Sequence, residues 1–120
     1  LKVLIVDDES SVRRALQRAF TSKGHDVEVA IDAIEGEKIW RDSLPDIVIL
    51  DVLMPKLTGP QLLEKLKDFI SSSPVKIILI SAYSGEFDTK QSQSKGVNLF
   101  IEKPFENIFS VVDKAEELAR

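Results

Sequence analysis

The segment Asp46-Ile47-Val48-Ile49-Leu50-Asp51 constrains the fold more than any other part of this chain. Four apolar residues in succession, three of them β-branched, suit a strand covered on both faces. Such a strand belongs in a parallel sheet sandwiched between helices. A carboxylate closing the run is costly unless the strand ends there and the side chain opens into a crevice. In open α/β sheets the carboxyl ends of the strands are where ligands bind. Met54-Pro55 prevents continuation, because proline has no N–H to donate to a ladder. Asp51 is therefore expected at the lip of a sheet.

Other short apolar runs repeat the pattern. Leu1 to Val6 reads as a second buried strand and ends in Asp7-Asp8-Glu9. Those acids also suit the first turn of a helix, where they oppose the macrodipole. A helix does follow, with Val12, Ala15, Leu16, Ala19 and Phe20 on one face and Gly24 as its stop. Asp26 to Ile31 alternates apolar with polar, which fits an edge strand. Asp32-Ala33-Ile34-Glu35 resembles a capping box and opens a helix to about Asp42, with Trp40 as a core anchor. The stripe of this helix is noisy, because Gly36 and Glu37 stand where apolar residues would help.

Pro60 suits the start of a third helix, which buries Leu62, Leu63, Leu66, Phe69 and Ile70. Val75 to Ile80 is a fourth buried strand ending in Ser81-Ala82. Residues 86–95 have helix length but only one large apolar residue, Phe87, so this helix is either marginal or loosely packed. Val97 to Ile101 is a fifth strand, followed by Glu102-Lys103-Pro104. A last helix is expected from about Glu106, with Ile108, Val111, Val112, Ala115 and Leu118 on its buried face.

Strand and helix thus alternate five times. That spacing means an α/β fold, a doubly wound (βα)5 parallel sheet with right-handed crossovers and helices on both faces. A chain of 120 residues fits one domain spanning 1–120. It begins at Leu1, as a piece of a longer protein would. The formal charge of −4 offers no electrostatic footprint for nucleic acid. The absence of cysteine excludes disulfides, thiolate catalysis and cysteine metal sites, and permits a reducing compartment. The longest apolar run is too short to span a membrane, and no signal peptide is visible.

In a parallel sheet all the strand ends of one polarity lie on one edge. The first strand delivers Asp7 and Asp8 there, the third Asp51, the fourth Ser81 and the fifth Lys103. Any one of these has an ordinary structural explanation; their convergence does not. Carboxylates packed together repel, and one would be driven protonated unless a cation intervened. A hard divalent ion with oxygen ligands is the natural occupant, and Mg2+ commonly takes one or two carboxylates beside water and phosphate oxygens. With the charge offset, Asp51 can attack phosphorus and form an aspartyl phosphate. Lys103 and the Ser81 hydroxyl are then suited to binding phosphoryl oxygens.

Val6-Asp7-Asp8, Leu50-Asp51-Val52-Leu53-Met54-Pro55 with Gly59, Ser81-Ala82 and Lys103-Pro104-Phe105 together resemble the receiver domain of two-component response regulators. The resemblance covers essentially the whole chain in order and spacing. It implies the flavodoxin-like strand order 2-1-3-4-5. It implies Asp51 as phosphoacceptor, charged by a histidine kinase or phosphotransfer protein. Asp7 and Asp8 would hold Mg2+, Asp8 the more directly, with Asp51 and the Leu53 backbone carbonyl as further ligands. Ser81 stands at the switch hydroxyl and Phe100 at the switch aromatic, and Lys103-Pro104 matches the family's cis peptide.

The implied role is a cytoplasmic signalling domain rather than an enzyme, one that assists its own phosphorylation and dephosphorylation. It would signal to an output domain or downstream protein, or through a homodimer, using the face made by the fourth helix, the fifth strand and the last helix. Three features depart from the pattern. The fourth helix carries Lys90, Gln91, Ser92, Gln93 and Ser94 where small apolar residues are usual. Phe100 has no hydroxyl to offer. Glu102 adds a charge beside Lys103, which is expected to be solvated.

Rival functions fit less well. A haloacid dehalogenase-type phosphohydrolase needs an acid two residues after its nucleophile, and Leu53 stands there. A receiver-like module that only docks or dimerises usually lacks one of the acids or the lysine. A flavodoxin-like flavin protein needs a phosphate cradle where this chain is acidic. His25, the single histidine, precedes the edge strand and is expected at the surface, away from Asp51.

Overall fold

A computed structural model of the chain describes residues 1–82 and 96–120. The helix expected over 86–95, and with it Phe87, lies outside the described residues. Five strands form one parallel sheet: β1 (Lys2–Val6), β2 (Asp26–Ala30), β3 (Ile47–Asp51), β4 (Lys76–Ser81) and β5 (Leu99–Glu102). Their order is β2-β1-β3-β4-β5, as the resemblance implies. The described helices are α1 (Ser10–Ser22), α2 (Ala33–Ser43), α3 (Gly59–Lys65), α4 (Lys67–Ser71) and α5 (Ile108–Ala119).

Burial follows sheet position. Every residue of central β3 is buried, whereas β2 at one edge alternates and β5 at the other is half-covered. Successive side chains of a strand point to opposite faces, and two cores result. Leu4, Val6, Val48, Leu50, Ile77 and Leu79 pack with Trp40, Leu62, Leu63 and Leu66 under α2, α3 and α4. Val3, Ile5, Ile47, Ile49, Ile78 and Ile80 pack with Leu16, Phe20, Val111 and Val112 under α1 and α5. A chain with apolar residues at every strand position needs both layers, which is why the sheet is wound on both sides.

Four local features depart from the sequence expectations. The third helix is interrupted at Leu66 (φ −98°, ψ 8°) and resumes as α4, while Leu66 and Ile70 stay in line on the buried face. The last helix starts at Ile108 rather than Glu106, because the Asn107 side chain accepts from the Phe109 amide at 2.9 Å and caps it. Gly36, which spoils the apolar stripe of α2, is buried against β1. A Cβ there would stand 3.0 Å from both Val6 methyl carbons, so the missing side chain lets helix and strand approach.

His25 is the fourth. Its side chain is only 10 % exposed, pairs with Glu116 of α5 at 2.8 Å and meets the Phe20 ring edge-on. It lies at the start of β2, on the sheet edge opposite the strand ends that carry the acids. The expectation of a plain surface residue is thereby corrected.

Candidate functional site

The strand register brings the polar residues together. Val6 pairs with Ala30 and Leu50, Asp51 with Ile80, and Ser81 with Glu102, so the strands end at nearly one level. Asp7 is fully buried just past β1, Asp51 is 3 % exposed at the end of β3, and Ser81 is buried at the end of β4. Lys103 follows β5, its backbone N–H donating to the Ser81 carbonyl at 2.8 Å. The Lys103–Pro104 peptide is cis, as the resemblance implies.

Lys103 Nζ lies 2.9 Å from Asp7 Oδ2, 3.1 Å from Glu9 Oε1 and 3.4 Å from Asp51 Oδ1. One ammonium thus ties the acids after β1 to the acid of β3. Burial alone would pull the lysine pKa down, but the adjoining Asp7, Asp51 and Glu9 carboxylates outweigh it and raise it. Asp51 goes the other way from an ordinary carboxylate. Burial, with Asp7 beside it, pushes its pKa up to about 7 from the usual 3.8, against the opposing pull of Lys103. A single lysine does not balance the acids here.

The residues fit a divalent cation. One oxygen from each of Asp7, Asp8 and Asp51 lies within 4.8 Å of the others, a hard-ligand set of the kind that suits Mg2+. Asp7 Oδ2 is enclosed beside the Lys103 ammonium at 2.9 Å, with no other hydrogen-bond donor among the described residues. Its second oxygen is already engaged by the Glu9 amide at 2.8 Å. Asp8 is exposed and faces the same cluster, so it can meet an ion arriving from solvent.

The loop after Asp51 is shaped by Gly59. The Val52 amide donates to Ile80 and the Gly59 amide to Val52, each at 2.9 Å. A Cβ built on Gly59 would overlap the Asp51 backbone carbonyl. Thr58 and Gln61 form a reciprocal capping box that fixes where α3 begins. Gly59→Ala should therefore force the loop away from Asp51 and cost about 1–3 kcal/mol. Urea unfolding of the two proteins, with the Mg2+ response of each, checks this.

Of the remaining expected residues, Leu53 exposes its side chain (44 %) beside the site. Phe100 is half-buried against the core under α2 and α3 and pairs in register with Leu79. Glu102 is exposed, as expected. Sequence reasoning passed over Glu9 as a first-turn acid. The usable signal was its place in a run of three acids at a strand end.

Known proteins agree with this architecture. Residues 3–112 match the family model for the response regulator receiver domain. The chain is 36 % identical over 104 residues to a probable transcriptional regulator, ycf27, of Porphyridium aerugineum, covering 87 % of this chain and 42 % of that protein. It is 32 % identical over 107 residues to the response regulator PleD of Caulobacter vibrioides, covering 89 % of this chain and 24 % of that one. It therefore spans less than half the length of these relatives. Among solved structures, a CheY-like receiver domain from Methanospirillum hungatei superposes with a TM-score of 0.88 at 25 % identity, covering 98 % and 92 % of the two chains. The receiver domain of a Francisella response regulator gives 0.87 at 25 %, covering 98 % and 95 %. With the family model spanning nearly the whole chain and the same strand order in the fold, this chain belongs to the response regulator receiver domain family.

Proposed function

We propose that residues 1–120 act as one receiver domain that takes a phosphoryl group onto Asp51 in a Mg2+-dependent reaction and changes conformation to signal onward. The observation that carries this is the shared Lys103 ammonium, which spans Asp7 and the nearly buried Asp51 at the sheet edge. When bound, the metal would offset the carboxylate charge and polarise the phosphoryl oxygens; Asp7, Asp8, Asp51 and the Leu53 carbonyl would hold it.

The Asp51 carboxylate oxygen attacks phosphorus of a phosphohistidine. A new O–P bond forms, the P–N bond breaks with its electron pair going to the imidazole, and that nitrogen takes a proton from water. Lys103, already 3.4 Å from Asp51, follows the new oxygens and stabilises their charge. Ser81, buried at the end of the neighbouring strand, turns its hydroxyl toward them, and half-buried Phe100 follows; the phosphoryl group thereby biases a two-state equilibrium.

The chain serves as a phosphoacceptor rather than an enzyme with an external substrate. The donor is a histidine kinase or phosphotransfer protein, and an apolar groove of about 350 Å³ with Val12, Ala15, Phe105 and Ile108 in its walls opens beside Glu9 and Lys103 to receive it. The receiver of the signal is an output domain, a downstream protein or a second copy of the chain. Among the described residues no helix is long and apolar enough to cross a membrane, and we place the domain in the cytoplasm.

Intact-mass analysis after incubation with acetyl phosphate tests the reading. Wild type should gain one phosphoryl group with Mg2+ and none with EDTA, and Asp51→Asn should gain none. Equal gain by Asp51→Asn would move the acceptor elsewhere. No gain by wild type from acetyl phosphate or a phosphohistidine donor would overturn the reading.

A further inference from the structure

The Glu9 side chain has no task in this scheme, yet its position is specific. Glu9 is the N-cap residue of α1 (φ −87°, ψ 115°), where a side-chain oxygen usually accepts from the first helical amides. It makes no cap hydrogen bond, and glutamate is not a preferred cap residue. Its backbone is held on both sides: the N–H donates to Asp7 Oδ1 at 2.8 Å, and the carbonyl accepts from Arg13 at 3.1 Å. From that fixed base the side chain reaches Lys103, which donates to it at 3.1 Å across a separation of 94 residues.

Of the three carboxylates around Lys103, Asp7 and Glu9 hold it closest, at 2.9 and 3.1 Å, and Glu9 is the exposed one of the two. Asp51 stands farther off, at 3.4 Å. The ammonium therefore sits on the Asp7 and Glu9 side of the cluster, farthest from Asp51. A phosphoryl group on Asp51 would bring anionic oxygens closer, and the ammonium could follow only by loosening its hold on Glu9.

We propose that Glu9 is a positioning residue that holds the Lys103 ammonium back from Asp51, so that its strength sets how readily the site accepts a phosphoryl group. This rests on Asp51 being the phosphoacceptor. The hold exists in the phosphoryl-free state and is lost in the other. It therefore shifts the balance between the two by its own strength, and no further. Because the Glu9 side chain is 58 % exposed, that strength is modest.

Two substitutions separate holding from simple charge repulsion. Glu9→Gln removes the charge. Glu9→Asp keeps the charge but is one methylene shorter, so it loses Lys103 and gains a residue well suited to capping α1. Binding of beryllofluoride at saturating Mg2+ is measured for wild type and both variants, together with the Lys103 Nζ resonance and thermal stability before binding.

The expected result is that both variants bind about two- to fivefold more tightly than wild type. Both should also shift the Nζ resonance, with Glu9→Asp no less stable than wild type. If Glu9→Asp binds like wild type while Glu9→Gln binds more tightly, the effect is repulsion and the proposal fails. Unchanged or weaker binding by both variants overturns it as well, with the phosphoacceptor reading intact. If wild type binds no beryllofluoride and accepts no phosphoryl group, that reading falls and takes this one with it.

Discussion

Asp51→Asn should make the metal-free protein more stable at pH 8 and less sensitive to pH than wild type, which loses stability as the pH rises. The cause is the raised Asp51 pKa, about 7 in the folded chain against an ordinary 3.8. The folded state holds the proton more tightly than the unfolded chain does. The stabilisation is therefore complete below pH 3.8 and is lost progressively as pH climbs through 7. Deprotonation of Asp51 therefore destabilises the folded wild type. Thermal unfolding in EDTA at pH 5, 6, 7 and 8 should show the gap between the two proteins widening with pH. Every other titrating group is common to both, so the difference reports Asp51 together with its coupling to Asp7 and Lys103. A gap independent of pH would mean that Asp51 is already ionised at pH 5. Added Mg2+ should recover wild type far more than Asp51→Asn, since the cation offsets a charge that the variant lacks.

Trp40→Ala should cost about 3–5 kcal/mol, the range for emptying a large aromatic site in a packed core. Trp40 is fully buried on α2 within the core formed by Val6, Val48 and Leu50, the strand residues leading to the acids. Its indole N–H has no hydrogen-bond partner among the described residues. An unsatisfied buried donor carries a desolvation penalty, so Trp40→Phe removes volume and that penalty together. It should cost less than half as much as Trp40→Ala. Urea unfolding followed by circular dichroism ranks the three proteins. Equal losses for Phe and Ala would show that the indole N–H carries a favourable interaction.

Much of this was legible in the chain because the features are local. A strand buried on both faces writes itself as consecutive apolar residues, and Ile47 to Leu50 and Ile77 to Ile80 do so without ambiguity. Where the chemistry of a position faces two ways, the pattern misleads. Gly36 reads as a gap in a stripe, yet the stripe needs the gap because Val6 fills it. His25 reads as a loop polar residue, yet Glu116 and Phe20 enclose it from elements distant in sequence. The start of the last helix was missed by two residues because an asparagine cap is visible only once the helix it caps is placed.

By itself the sequence determined the alternation of strands and helices, the parallel sheet and the set of polar residues at its edge. Each of these depends on the order of residues within one element and on the polarity all parallel strands share. Tertiary structure alone decided how those residues meet. Register brought Lys103 to within 3.4 Å of Asp51, 2.9 Å of Asp7 and 3.1 Å of Glu9. The close approach of Gly59 to the Asp51 carbonyl and the raised Asp51 pKa follow from the same packing. Distances between residues far apart in the chain, and the desolvation those residues undergo, come from how elements pack, and no local pattern encodes them.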